Sequence, residues 1–186
     1  MKKTKTLLFL FFGIASITAM VSFRQADPGA ITTDDMKQMV ANWERAKIYT
    51  QEYLNASTDD VVNFKPTPEM RTFGQQMLHL AEVNYAMASG ATGKPTTVSF
   101  GSLEKSDQLK TKAAVTKAVM DSYDFVIAAT KEMTEAKMGE PVKIFNFDMS
   151  RAVALDKLFE HQTHHRGQTT VYLRLKGIVP PNEKLF

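Results

Sequence analysis

Leu158-Phe159-Glu160-His161-Gln162-Thr163-His164-His165-Arg166-Gly167-Gln168-Thr169-Thr170-Val171-Tyr172 holds three of the chain's four histidines within five residues. His161 and His165 stand at i and i+4, a spacing that on a helix puts two imidazoles on one face, about one turn apart. Leu158, His161, His165, Thr169 and Tyr172 follow the three-four rhythm of an inward face, so the pair falls where core side chains belong. His164 is rotated by about 100° from His165 and is expected to point sideways, toward a neighbouring helix or solvent. Such a pair reads either as two satisfied core or surface histidines or as part of a metal site.

The helix carrying the pair is predicted from about Ser150 to Lys176, with Gly177 ending it and Pro180-Pro181 preventing its resumption. Three more helical segments precede it. The first opens at Thr32-Thr33-Asp34-Asp35, N-cap residues and acids suited to a helix start. It continues through Met36, Met39, Val40, Trp43 and Ala46 and fades near Asn55-Ala56-Ser57. The second is expected to begin at Thr67-Pro68-Glu69 and to stop at Gly90, with Phe73, Met77, Leu80, Asn84 and Met87 as its stripe. The third is expected after Ser106, with Leu109, Thr116, Met120, Tyr123 and Ile127 on one face, closing near Gly139-Glu140-Pro141. Ala91 to Gly101 reads as a loop, and Val142 to Phe147 is ambiguous and could be extended. The expected fold class is all-α, a four-helix bundle.

The remaining histidine, His79, lies midway along the second helix. It is the one left to complete a facial set with His161 and His165. Three neutral nitrogens with positions left open are the arrangement of a catalytic rather than a closed structural zinc site.

The stretch from Glu160 to Gln168, followed by Tyr172-Leu173-Arg174-Leu175-Lys176-Gly177 and Pro180, closely resembles the final helix of the DinB/YfiT-like family. Met70-Arg71-Thr72-Phe73-Gly74-Gln75-Gln76-Met77-Leu78-His79-Leu80 is similar to that family's second helix. The resemblance spans roughly residues 32 to 181. It implies a four-helix bundle that binds a divalent metal, often zinc or nickel, through His79, His161 and His165. It also implies homodimers, which many members form. Characterised members include thiol-dependent transferases and an isomerase, which activate a low-molecular-weight thiol at the metal.

Neighbouring residues have candidate roles. Glu82 and Glu160 are the candidate catalytic carboxylates, Glu82 as a general base and Glu160, with Gln168, as an orienter of a ligand imidazole. Asn84 and Tyr172 line the pocket or make core hydrogen bonds. Arg166 pairs with a carboxylate from another helix or receives an anionic substrate. Gly167 inside a helix costs about 1 kcal/mol relative to Ala, so close approach of a neighbouring helix is expected there, with a functional opening beside the metal as the alternative. The Met and aromatic stripes read as packing.

With 186 residues, 44% of them hydrophobic, the chain has material for one domain. The net charge of +3 originates at the N-terminus: removing Lys2, Lys3, Lys5 and Arg24 from the 23 basic residues leaves 19 against 20 acidic ones. No basic stripe interleaved with aromatics follows, so nucleic acid is not an expected partner. The basic start and the apolar run Leu7 to Val21 read as an export signal over residues 1–22, with Ala19 or Ser22 before the cut. The run is shorter than the roughly 20 residues of a bilayer-spanning helix. Retained as an anchor, it would be the chain's one membrane contact. Residues 23–31 then form a linker, 32–181 the bundle and 182–186 a tail. Export would place the protein in the periplasm or cell envelope, where thiol cosubstrates are scarce, and tilts the nucleophile toward water. With no cysteine in the chain, disulfides and thiolate ligands are excluded. Three functional classes remain: a metal-dependent hydrolase or thiol-dependent transferase acting on a small molecule, a non-enzymatic metal- or ligand-binding protein of the envelope, and a structural bundle.

Overall fold

The computed structural model describes residues 31–186, so the expected signal segment and most of the linker lie outside the described residues. The described part is mostly helical: α1 Thr33–Ala56, α2 Asp59–Val62, α3 Phe73–Thr92, α4 Lys112–Lys131, α5 Glu135–Gly139 and α6 Arg151–Leu175. None of these helices is long and apolar enough to cross a membrane. The four long helices enclose one core, α3 lying against α4 and α6, and α1 against the same two. Trp43 of α1 is fully buried and meets Tyr123 of α4 and Phe159 of α6 edge-on, with ring centroids 5.8 and 5.3 Å apart.

The all-α expectation needs one correction. β1 Pro141–Ile144 and β2 Phe147–Ser150 form an antiparallel hairpin that pairs Ile144 with Phe147, so the ambiguous stretch is extended. Phe145 at its turn has φ 52°, the left-handed region that bulky residues seldom adopt.

Helix ends follow local capping chemistry. Thr32 caps α1 through a reciprocal box with Asp35, as the acid-rich start suggests. α3 begins at Phe73 rather than at Pro68, because Thr72 and Gln75 form a second such box. It runs past Gly90 to Thr92 and ends at Gly93, whose φ of 82° makes it the left-handed cap. Gly90 instead makes room for the hairpin: a Cβ there would meet the Ile144 Cδ1 at 2.7 Å. The third helix starts at Lys112 behind the Thr111 cap and stops at Lys131, with α5 as a separate turn. The expected C-terminal tail is tied to α1, where Arg45 Nη1 donates to the Lys184 carbonyl at 2.5 Å.

Candidate metal centre

His79 projects from α3, and His161 and His165 from α6. Each offers one ring nitrogen, and the three nitrogens lie within 4.8 Å of one another. Ring centroids are 4.3 Å apart for His161 and His165, 4.7 Å for His79 and His165, and 5.3 Å for His79 and His161. Two helices distant in sequence thus bring three imidazoles together, the set that the family resemblance implies.

Burial sets their charge. Loss of solvent is the largest effect on all three rings, and the neighbouring imidazoles add to it for the α6 pair. His161 is pushed down to about 4 and His165 to about 3, and His79 also falls below its ordinary value. At neutral pH the rings are uncharged and each keeps a nitrogen lone pair, the form a metal requires.

Hydrogen bonds fix part of the proton placement. His165 Nδ1 donates to the Gln76 Oε1 at 2.8 Å, leaving Nε2 as the unprotonated nitrogen. Gln76 in turn donates to the Gln168 Oε1 at 2.7 Å, and Gln168 Nε2 donates to the His164 Nε2 at 2.6 Å. Gln168 therefore reaches the His165 ring only through Gln76. Gln76 lies three residues before His79 on α3, and that spacing on the ligand-bearing face was the available signal for it. His164 is exposed, as its rotation predicts.

His161 Nδ1 is buried and makes no hydrogen bond among the described residues. A ring nitrogen shut away from water costs free energy unless something satisfies it. Three neutral imidazoles that each offer one nitrogen to a shared point are a donor set that suits zinc, nickel, copper or iron. The residues fit a divalent ion.

The two candidate carboxylates part company. Glu160 is exposed, pairs with Lys157 at 2.8 Å, and belongs to no metal-capable cluster among the described residues. Glu82 is buried beside His79, but its Oε1 accepts the Leu103 and Glu104 backbone N–H groups at 2.5 and 2.7 Å. Glu104, unremarked in the sequence because it sits in a loop, places Oε2 3.4 Å from His79 Nδ1. Phe100 of the same loop stands edge-on to His79 at 6.2 Å, and Phe145 at the hairpin turn meets Phe100 at 6.5 Å; both are exposed.

Other expectations resolve into packing. Asn84 Nδ2 donates to the Ser122 Oγ at 3.0 Å, and Tyr172 OH donates to the Arg71 carbonyl at 2.8 Å. Arg166 is buried but has no carboxylate partner among the described residues, a correction to the expected ion pair: its guanidinium donates to the Gln162 Oε1 at 2.8 Å and stacks 4.5 Å from the Tyr49 ring centre. Gly167 is also corrected. A Cβ there would meet nothing within 4 Å, so no helix approaches it.

Comparison with known proteins adds a family assignment to this geometry. The DinB family model matches residues 31–185. The chain belongs to the DinB family. Among curated proteins, this DinB chain is similar to the uncharacterized protein YrdA of Bacillus subtilis strain 168, 27% identical over 151 residues, covering 78% of this chain and 86% of YrdA. Among solved structures, it is similar to a DinB-like protein from Bacillus cereus ATCC 10987, with a TM-score of 0.70 and 21% identity over 80% of this chain and 97% of that one. The DinB-like protein YjoA of Bacillus subtilis gives 0.61 and 16% identity over 80% and 96%. At these identities the structural likeness establishes the fold alone.

Proposed function

We propose that this DinB protein is an exported divalent-metal protein, its four long helices forming the family's four-helix bundle and His79, His161 and His165 holding the ion. The observation that carries the reading is the convergence of three ring nitrogens within 4.8 Å of one another from α3 and α6. Zinc or nickel is the ion the family resemblance points to. Export to the periplasm or cell envelope rests on the sequence of residues 1–22. A homodimer would cover the exposed Val171 and Leu175 on α6.

A divalent ion held by three neutral imidazoles supplies Lewis-acid activation of water or a thiol near neutral pH, the chemistry of a metal-dependent hydrolase or a thiol-dependent transferase. The chain's own residues provide the conditions for that chemistry. Burial keeps the rings uncharged, and Gln76 holds the proton of His165 on Nδ1. Phe100 presents an exposed ring beside His79 and Phe145 an exposed ring beside Phe100, an apolar surface for the organic part of a small-molecule substrate.

A second reading is favoured by a specific observation: Glu160 is paired with Lys157, and Glu82 spends its Oε1 on two backbone N–H groups of the loop. A centre whose nearest candidate base serves to anchor a loop suits a non-enzymatic metal- or ligand-binding protein of the envelope. The two readings separate in a turnover assay. Metal-loaded protein is offered esters, amides and pairs of low-molecular-weight thiols with electrophiles, beside chelator-stripped protein. Turnover that requires the metal supports the enzyme. Metal uptake with no turnover supports the binding protein.

A further inference from the structure

We propose that Glu104 is the positioning residue for His79, carried to the ring by a loop that the buried Glu82 anchors. The proposal rests on the reading of the three histidines as a ligand set and adds to that reading how the α3 ligand is oriented.

The chain between α3 and α4 contains no helix or strand of its own, yet it holds a carboxylate against a half-buried imidazole. Two anchors account for this. Glu82 lies three residues after His79, on the same side of α3. Its Oε1 receives the N–H groups of Leu103 and Glu104, which pins the loop at the residue whose side chain turns to the ring. Glu82 is 1% exposed, and a carboxylate that far from water needs such donors. The second anchor is Arg71, whose Nε donates to the Glu104 Oε1 at 2.7 Å. Arg71 is itself fixed by the Tyr172 hydroxyl of α6, which donates to its carbonyl.

Glu104 Oε2, the oxygen Arg71 leaves free, lies 3.4 Å from His79 Nδ1. A carboxylate there accepts the Nδ1 proton, holds the neutral ring in the tautomer with its lone pair on Nε2, and makes that nitrogen more basic. Gln76 does the same for His165 without the charge. The three rings are therefore unequal: one backed by an anion, one by an amide, and His161 by no hydrogen-bonding group among the described residues.

The side chains of His79, Glu82 and Glu104 also lie within 4.8 Å of one another and could hold a cation of their own. One oxygen of each carboxylate is already taken, by two N–H groups in Glu82 and by a guanidinium in Glu104, while Glu82 Oε2 is buried without a hydrogen bond among the described residues. Zinc stoichiometry separates a supporting Glu104 from a ligand.

The test uses chelator-stripped full-length protein with two readouts: zinc titration for affinity and stoichiometry, and the ring nitrogen chemical shifts of His79 without metal. Wild type should bind about one zinc per chain and show His79 protonated on Nδ1. Glu104→Ala should keep that stoichiometry, weaken zinc by about 10- to 100-fold and lose the single His79 tautomer. Glu104→Gln, which retains an acceptor but not the charge, should recover the tautomer and part of the affinity. Circular dichroism checks that both variants stay folded. Unchanged affinity and unchanged His79 shifts in Glu104→Ala would overturn the proposal. So would two zinc ions in wild type falling to one in the variant, because Glu104 would then be a ligand. Wild type that takes up no zinc removes the ligand-set reading and with it the proposed role. The shifts would still show whether Glu104 holds the ring, so the two failures are distinguishable.

Discussion

His165 Nδ1 and the Gln76 Oε1 are 2.8 Å apart across the α3–α6 interface. This bond ties a proposed ligand on one helix to a supporting side chain on the helix that supplies His79. It also sets the direction of the chain of amides behind it, through Gln168 to His164.

Gln76→Leu removes the acceptor for that proton and the donor to Gln168 while keeping similar bulk. Zinc affinity should fall by about 10- to 100-fold, with helical content unchanged in circular dichroism. Wild-type affinity in this variant would mean that packing alone orients the His165 ring.

The depressed histidines give stripped protein an acid-sensitive stability. Their ordinary value is 6.5, while in the fold His161 lies at about 4 and His165 at about 3. Below pH 6.5 the unfolded chain takes up protons that the folded one refuses, so the folded state loses stability as pH falls from there toward 4 and 3. Above pH 6.5 both states are neutral at these rings and the contribution is intact. Denaturant midpoints of metal-free protein at pH 7.5, 6 and 5 should decrease in that order, and less steeply in His161→Leu. An equal slope in the variant would assign the effect to other groups.

Two helical glycines should respond in opposite directions to alanine. At Gly167 the new methyl group meets nothing within 4 Å, so the substitution should stabilise by up to about 1 kcal/mol through helix propensity. At Gly74 a Cβ would lie 2.9 Å from the Val62 Cγ1 and 3.0 Å from the Val62 carbonyl oxygen. Overpacking of that kind costs about 1–3 kcal/mol. Thermal melts of the two variants should move apart, Gly167→Ala upward and Gly74→Ala downward.

Tyr172→Phe deletes the hydroxyl that holds the Arg71 carbonyl. The expected loss is about 1 kcal/mol, the net worth of one hydrogen bond with part of its desolvation. Chemical denaturation reads it directly; no change in the midpoint would mean that the carbonyl is satisfied by solvent.

The His161–His165 pair was legible in the sequence because helical periodicity puts both on one face; His79 entered as the one histidine left and through the resemblance to the DinB/YfiT-like family. Trp43 and Tyr123 likewise fell on predicted stripes. What depends on loop geometry was not legible. Glu104 reaches His79 only because Glu82 and Arg71 pin a segment with no periodic pattern. Glycines misled for a similar reason, since their role depends on what lies across the interface. Gly90, expected as a helix stop, makes room for Ile144, while Gly167, expected at a close contact, faces open space. The start of α3 was misplaced because Thr67-Pro68 is a sound opening signal, but Thr72 and Gln75 form the box that caps the helix.

The most direct test of a shared three-histidine centre is the metal content of full-length protein, loaded with zinc and freed of excess, beside His79→Ala, His161→Ala and His165→Ala. The account predicts about one ion per wild-type chain, and loss of that ion in each variant with the helical signal retained. A variant that keeps a full equivalent of tightly bound ion, or a wild type that binds none, would contradict it.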